Sequence, residues 1–222
     1  QFVAGAWPES GTFGIAGDAE ADMYLSWVRL LEATIALARQ GPGAEVLGTL
    51  GSIVDRAVRQ DEPQWSVPWL SFRALAYASA GRHDAFRADA GAMLAAADRT
   101  AVPARSLTLL ARGLVTPAAV LLIARERDRL QAMAEALEAV DAHEGERELL
   151  LAFVACLDGA SVDTSAATAA LLARGLDLST VIAAWAMGTA RPGAALPADL
   201  VTAARATADR ARAAWLAGLV GA

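Results

Sequence analysis

Roughly a quarter of this chain is alanine, and glycine or proline breaks the alanine-rich stretches at short intervals. Alanine is the strongest helix former, whereas the β-branched and aromatic residues that favour strands are scarce here. A chain of this kind has one economical solution, a series of short helices that approach one another closely. The 222 residues suffice for a core without disulfides or metal. Mean hydropathy is +0.36, but charges interrupt every apolar stretch. The run Leu149–Leu157 ends at Asp158, well short of the ~20 residues a membrane-spanning helix needs. The expectation is a cytoplasmic chain with no membrane contact.

All 19 basic residues are arginine, and neither lysine nor asparagine occurs. Both missing residues depend on A/T-rich codons, so a GC-rich bacterial genome accounts for the bias. The formal net charge of −6 is spread along the chain, leaving no basic face for phosphates, and direct nucleic-acid binding is not expected. The single cysteine, Cys156, lies in an apolar run and allows no intrachain disulfide. The opening Gln1-Phe2-Val3-Ala4-Gly5 has neither an initiator methionine nor a signal-peptide pattern, and reads as a fragment of a longer chain or a processed product.

Residues 1–17, rich in glycine and aromatics, read as an irregular arm in which Phe2, Trp7 and Phe13 lie on a helical body. Asp18 is a candidate N-cap for a helix over 18–40, stopped by Gly41-Pro42-Gly43. Helices are predicted over 44–60, from Ser66-Val67-Pro68 to Ala80, and over 85–99. A short helix follows Pro103, and Thr116-Pro117 starts another segment running to Ala142, either one helix or two with a turn near 126–129. Further helices are expected over 149–157, 166–174, 180–187 and 198–219. No linker divides residues 18–222, which read as one helical-hairpin domain, clearest over 18–100 and degenerate over 101–222.

The segment from Leu70 to Phe86 resembles a tetratricopeptide repeat. Leu70 stands at the first large apolar position, Ala74 at the small crossing position, Tyr77 at the aromatic one and Gly81 at the interhelix turn; Phe86 departs from the pattern, which has alanine there. A weaker copy has Leu30, Thr34, Leu37 and Gly41, followed by Val46, and the two turn glycines are 40 residues apart. The resemblance implies an all-α fold, antiparallel helical hairpins stacked as a tetratricopeptide-like superhelix. Hairpins of this length with Gly-Arg-x-Asp turns are also similar to the helical tails of large bacterial ATP-dependent transcriptional activators. That likeness implies a sensing or self-association segment.

Trp65, Trp69, Phe72, Arg73 and Tyr77 form the densest aromatic cluster. Read functionally, they line a groove for a partner segment or ligand, the composition favoured at binding hot spots. Read structurally, they are hairpin core with one surface arginine. His83-Asp84 has the order of paired phosphohydrolase ligands, but no histidine precedes it, so turn chemistry explains it. His143 and the adjacent acids Asp61-Glu62 form no zinc, di-iron or magnesium set, and no lysine exists for a phosphate loop. Arg125-Glu126-Arg127-Asp128-Arg129 reads as a solvated helix face with local ion pairs, and Glu144-Gly145-Glu146 as an acidic helix start. The function expected is a non-catalytic interaction or regulatory module, without cofactor, binding a protein or peptide partner or another domain of the same chain. The competing expectation is a compact α-helical small-molecule sensor domain with an apolar pocket.

Overall fold

The computed structural model describes residues 41–59, 63–100, 115–138, 144–211 and 214–221, and ahead of them 28–29, 32–33, 35–37 and 39–40. The N-terminal arm, Asp18, Asp61-Glu62, the short helix after Pro103 and His143 lie outside these residues. The described residues are helical, turn or irregular, with no strand among them. In chain order the helices are α1 (Ala44–Arg59), α2 (Pro63–Ser79), α3 (His83–Asp98), α4 (Thr116–Ala124) and α5 (Arg127–Glu138). They continue with α6 (Glu144–Leu157), α7 (Ser165–Ala173), α8 (Asp177–Ala190), α9 (Ala198–Arg210) and α10 (Ala214–Gly221). None of them is long and apolar enough to cross a membrane.

Helix α2 starts at Pro63, three residues before Ser66, which leaves Pro68 inside the helix. A proline serves equally well as either start signal, because the first amides of a helix lack intrahelical partners. The 116–142 segment resolves into α4 and α5, with a turn at Arg125 and Glu126. The 198–219 segment also divides, α9 ending at Arg210 and α10 starting at Ala214.

Four of the helix ends share one hydrogen-bond pattern, in which two successive amides bond back across the last turn. At the end of α2, Gly81 N donates to Ala78 O and Arg82 N to Tyr77 O, at 3.0 and 2.9 Å. Gly159 with Ala160 and Gly175 with Leu176 repeat it after α6 and α7. After α4 the left-handed residue is Arg125, at φ 63°, with Arg125 N bonded to Leu122 O and Glu126 N to Leu121 O. Glycine takes this conformation without steric penalty, whereas a side chain crowds the backbone.

Two helices form the centre. Every residue of α4 from Thr116 to Leu122 is buried, and α8 buries Val181, Ala183, Ala184, Ala186 and Met187 on several faces. Helices apolar all round belong in an interior. α4 packs on α2, α3, α5, α6 and α8, and α8 in turn on α4, α6, α7, α9 and α10. The tightest hairpins are α2–α3, α8–α9 and α5–α6. The helix α10 lies against both α8 and α9 and brings Trp215 to the turn at Gly41, ahead of α1.

Charged pairs tie the periphery to this centre. Arg129 donates to both oxygens of Asp98, linking α5 to α3, and Arg127 donates to both oxygens of Asp158, just after α6. The alternating charges at 125–129 therefore occupy a turn and a helix start. From there the arginines reach neighbouring elements as well as the adjacent Asp128. Arg174 meets Glu146 and Arg210 meets Asp177 in the same manner.

Candidate functional site

Within the aromatic segment of α2, Trp69 and Phe72 face the core, at 2 % and 9 % exposure. The backbone of Trp65 belongs to the first turns of α2, and its side chain lies outside the described residues. Arg73 turns the other way. Its Nε and Nη2 donate to the two oxygens of Asp89 on α3, at 2.7 and 2.8 Å, and its Nη1 to Asp55 on α1 at 2.6 Å. Burial works against the charge on Arg73, but the hydrogen bonds from Asp89 and Asp55 outweigh it and hold the guanidinium above its ordinary value. Tyr77 is half-buried, with Arg73 over its ring at 5.9 Å and Arg82 at 5.1 Å. The four residues with described side chains thus divide between a core face, Trp69 and Phe72, and an ion-paired hairpin seam, Arg73, that ends in an arginine–tyrosine stack at Tyr77.

A cleft of about 450 Å3 opens where α6 and α8 end together. Its walls are the end of α6 at Cys156, the connection from Gly159 to Val162, the last turn of α8 at Met187 and Arg191, and the loop from Ala194 to Pro197. The local sequence explains why space remains. Gly159 turns α6 away, while Pro192 and Gly193 carry the chain off α8 before Pro197 starts α9. Small residues line the connections, Ala160, Ser161, Ala194 and Ala195 among them.

Arg191 lines this cleft and has no ion pair or hydrogen bond from its side chain to any described residue. The carboxylates nearest in sequence have other partners. Asp158 holds Arg127, Asp163 accepts from the Ser165 hydroxyl and amide, and Asp199 accepts from Thr164 Oγ1 at 2.8 Å. Arg125 approaches from behind, its Nη2 donating to the carbonyl of Ala190 at 3.2 Å. The thiol of Cys156, buried at the floor, is pushed above its ordinary value by burial, against the opposing pull of Arg191 and Arg125. A protonated, buried thiol is a poor nucleophile.

A second, smaller void of about 60 Å3 sits between Leu37, Phe72, Leu178, Ile182, Trp185 and Trp215. It is apolar, and at that size it holds no metabolite. Among the described residues, no group of three or more histidine, cysteine, aspartate or glutamate side chains could hold a metal ion. Sequence reasoning did not single out Arg191. The signal available was an arginine followed by Pro192-Gly193, which does not reveal that Asp158, Asp163 and Asp199 have other partners.

The fold and the cleft define an all-α domain with two buried central helices and a pocket at the shared end of α6 and α8. No family model matches this chain, and no curated protein or solved structure matches it either.

Proposed function

We propose that this chain is a non-catalytic regulatory domain of a larger bacterial protein, sensing a small molecule in the cleft between α6 and α8. The observation that carries this reading is the cleft itself. Its volume of about 450 Å3 falls within the range of small-molecule sites, and two short connections, held at the ends of α6 and α8, frame it. The packing of α4 on α8, and of α10 back towards Gly41, favours a closed bundle over an open superhelix. A solenoid repeat touches only its neighbours. Within that bundle, α1 to α3 keep the character of tetratricopeptide-like hairpins, with Ala74 buried at the crossing of α2 and Gly81 at the turn. The likeness to activator tails supplies the regulatory context, in which ligand occupancy alters contacts with other domains of the same chain.

The sensing reading is tested by thermal-shift screening of a metabolite library against the purified chain and its Ala194→Trp variant, in which an indole fills the cleft. Ligands that raise the melting temperature of the parent but not of the variant support it. A library without such compounds, or hits equally effective on both proteins, overturns it.

A second reading, docking of a protein or peptide partner, is favoured by the surface of the first hairpins. Arg82 and Tyr77 stack at an exposed turn, and Ile35 and Val58 are exposed large apolar side chains. Loss of partner retention on Arg82→Glu and Val58→Asp, with thermal stability unchanged, would distinguish docking from sensing.

A further inference from the structure

We propose that the cleft takes a metabolite-sized carboxylate with a short apolar tail, its anionic head on Arg191 and its tail against Val162, Met187 and Leu196. The inference rests on the sensing reading and names the ligand class. Arg191 lines the cleft while its guanidinium binds no described residue. A guanidinium presents a planar fork that matches a carboxylate in bidentate fashion, so an unmatched one in a concave site selects for that group. The protein carries an excess of acid overall, yet Asp158, Asp163 and Asp199 are held by Arg127, Ser165 and Thr164. None of them neutralises Arg191 from within.

Three further features suit an anion. The helix α9 begins at Ala198, just after Pro197 on the cleft wall, with no side chain capping it; its first amides adjoin the site, while Asp199 in the first turn offsets part of the dipole. The α8 end, whose dipole would repel an anion, is covered by Arg125, which donates to Ala190 O. Arg125 holds that place in a left-handed backbone conformation that glycine fills without strain, and its side chain is what glycine would lack. Cys156 at the floor is a neutral thiol, so it adds no negative charge to compete for Arg191. Val162, Met187, Leu196 and Pro197 give the cleft, whose lining is otherwise largely polar, an apolar patch for a short tail.

The test uses the full chain, 15N-labelled, titrated with hexanoate and with hexanamide, which has the same number of heavy atoms and no charge. Hexanoate is expected to move the amide signals of Ser161, Val162, Ala194 and Ala195, and to bind at least about tenfold more tightly than hexanamide. Arg191→Gln is expected to erase that preference while the melting temperature stays within a degree or so of the parent. Equal binding of the two probes, or a preference that survives Arg191→Gln, overturns the carboxylate assignment and leaves the sensing cleft standing. If neutral or cationic fragments perturb those amides and no carboxylate does, the ligand class alone is wrong. If no fragment of any charge perturbs them, the sensing reading falls as well.

Discussion

Arg73 and Asp89 join α2 to α3 through two parallel hydrogen bonds, Nε to Oδ2 at 2.7 Å and Nη2 to Oδ1 at 2.8 Å, with the side chains only 12 % and 7 % exposed. The same guanidinium reaches Asp55 on α1, whose side chain is 58 % exposed. The two carboxylates therefore differ in what their removal leaves behind. Asp89→Ala leaves the buried Nε and Nη2 donors without their partner, only Nη1 keeping Asp55 and the Gly51 carbonyl, and should cost about 2–3 kcal/mol. Asp55→Ala removes a solvated partner and should cost about 1 kcal/mol or less. Urea unfolding of both variants checks the asymmetry, and equal losses would show that burial does not set the strength of the seam.

The contact between Gly41 and Trp215 yields a second prediction. Gly41 has φ +79°, and a Cβ added there would come within 2.8 Å of Trp215 Cδ1. Gly81, at φ +69°, has open space around the same position. Gly81→Ala should therefore cost only the left-handed strain, about 1 kcal/mol. Gly41→Ala adds a steric clash and should cost about 2–4 kcal/mol in total. Trp215→Ala combined with Gly41→Ala should recover the clash portion, which thermal unfolding of the single and double variants resolves as a non-additive term. Equal losses for the two glycine variants would place Trp215 away from the Gly41 turn.

Crossing of α6 and α7 is governed by a missing side chain. A Cβ at Gly145 would stand 2.4 Å from the Cβ of Ala170, with the backbone behind it. Gly145→Ala gains helix propensity of about 1 kcal/mol but overpacks the crossing by about 1–3 kcal/mol. Net destabilisation is expected, with recovery on adding Ala170→Gly. A stabilised single variant, measured by chemical denaturation, would mean that the helices separate freely at this point.

These close approaches show which parts of the fold were open to sequence reasoning. The α2–α3 hairpin was legible because Leu70, Ala74, Tyr77 and Gly81 each report a local constraint, the last through a left-handed turn that glycine fills. The α4–α5 turn was legible only as one of two alternatives, because Arg125 performs the same backbone task and carries no compositional sign of it. Thr116–Ala124 is apolar all round and buried, and its neighbours include α8, far along the chain, a pairing that no local pattern encodes. The cleft was hidden for a related reason. Whether Arg191 is matched depends on Asp158, Asp163 and Asp199 finding other partners, a relation that exists only after folding. Of the two readings of the aromatic cluster, hairpin core fits Trp69 and Phe72, which the structure buries.

Cys156 gives the cleft an internal pH probe. Burial raises its thiol above the ordinary value of 9.0, and Arg191 and Arg125 offset part of that rise. In the unfolded chain the thiol ionises near 9.0; in the folded one it stays protonated to higher pH. The folded state thus binds the proton more tightly, and stability falls as pH rises wherever the unfolded chain has already released it. The contribution is complete below pH 9 and is lost as pH climbs through the raised folded value. Cys156→Ala has no such titration, so the stability of the parent relative to this variant should be constant from pH 6 to 8.5 and decline above 9, with a slope of at most one proton. A carboxylate bound at Arg191 withdraws part of the positive potential that favours the thiolate, so saturating hexanoate should leave the onset near pH 9, set by the unfolded chain, and extend the decline to higher pH. Denaturant midpoints of both proteins across pH 7–10.5 measure it. A parent and variant that keep a constant difference over the whole range would place the thiol in water, and with it would go the closed floor of the cleft.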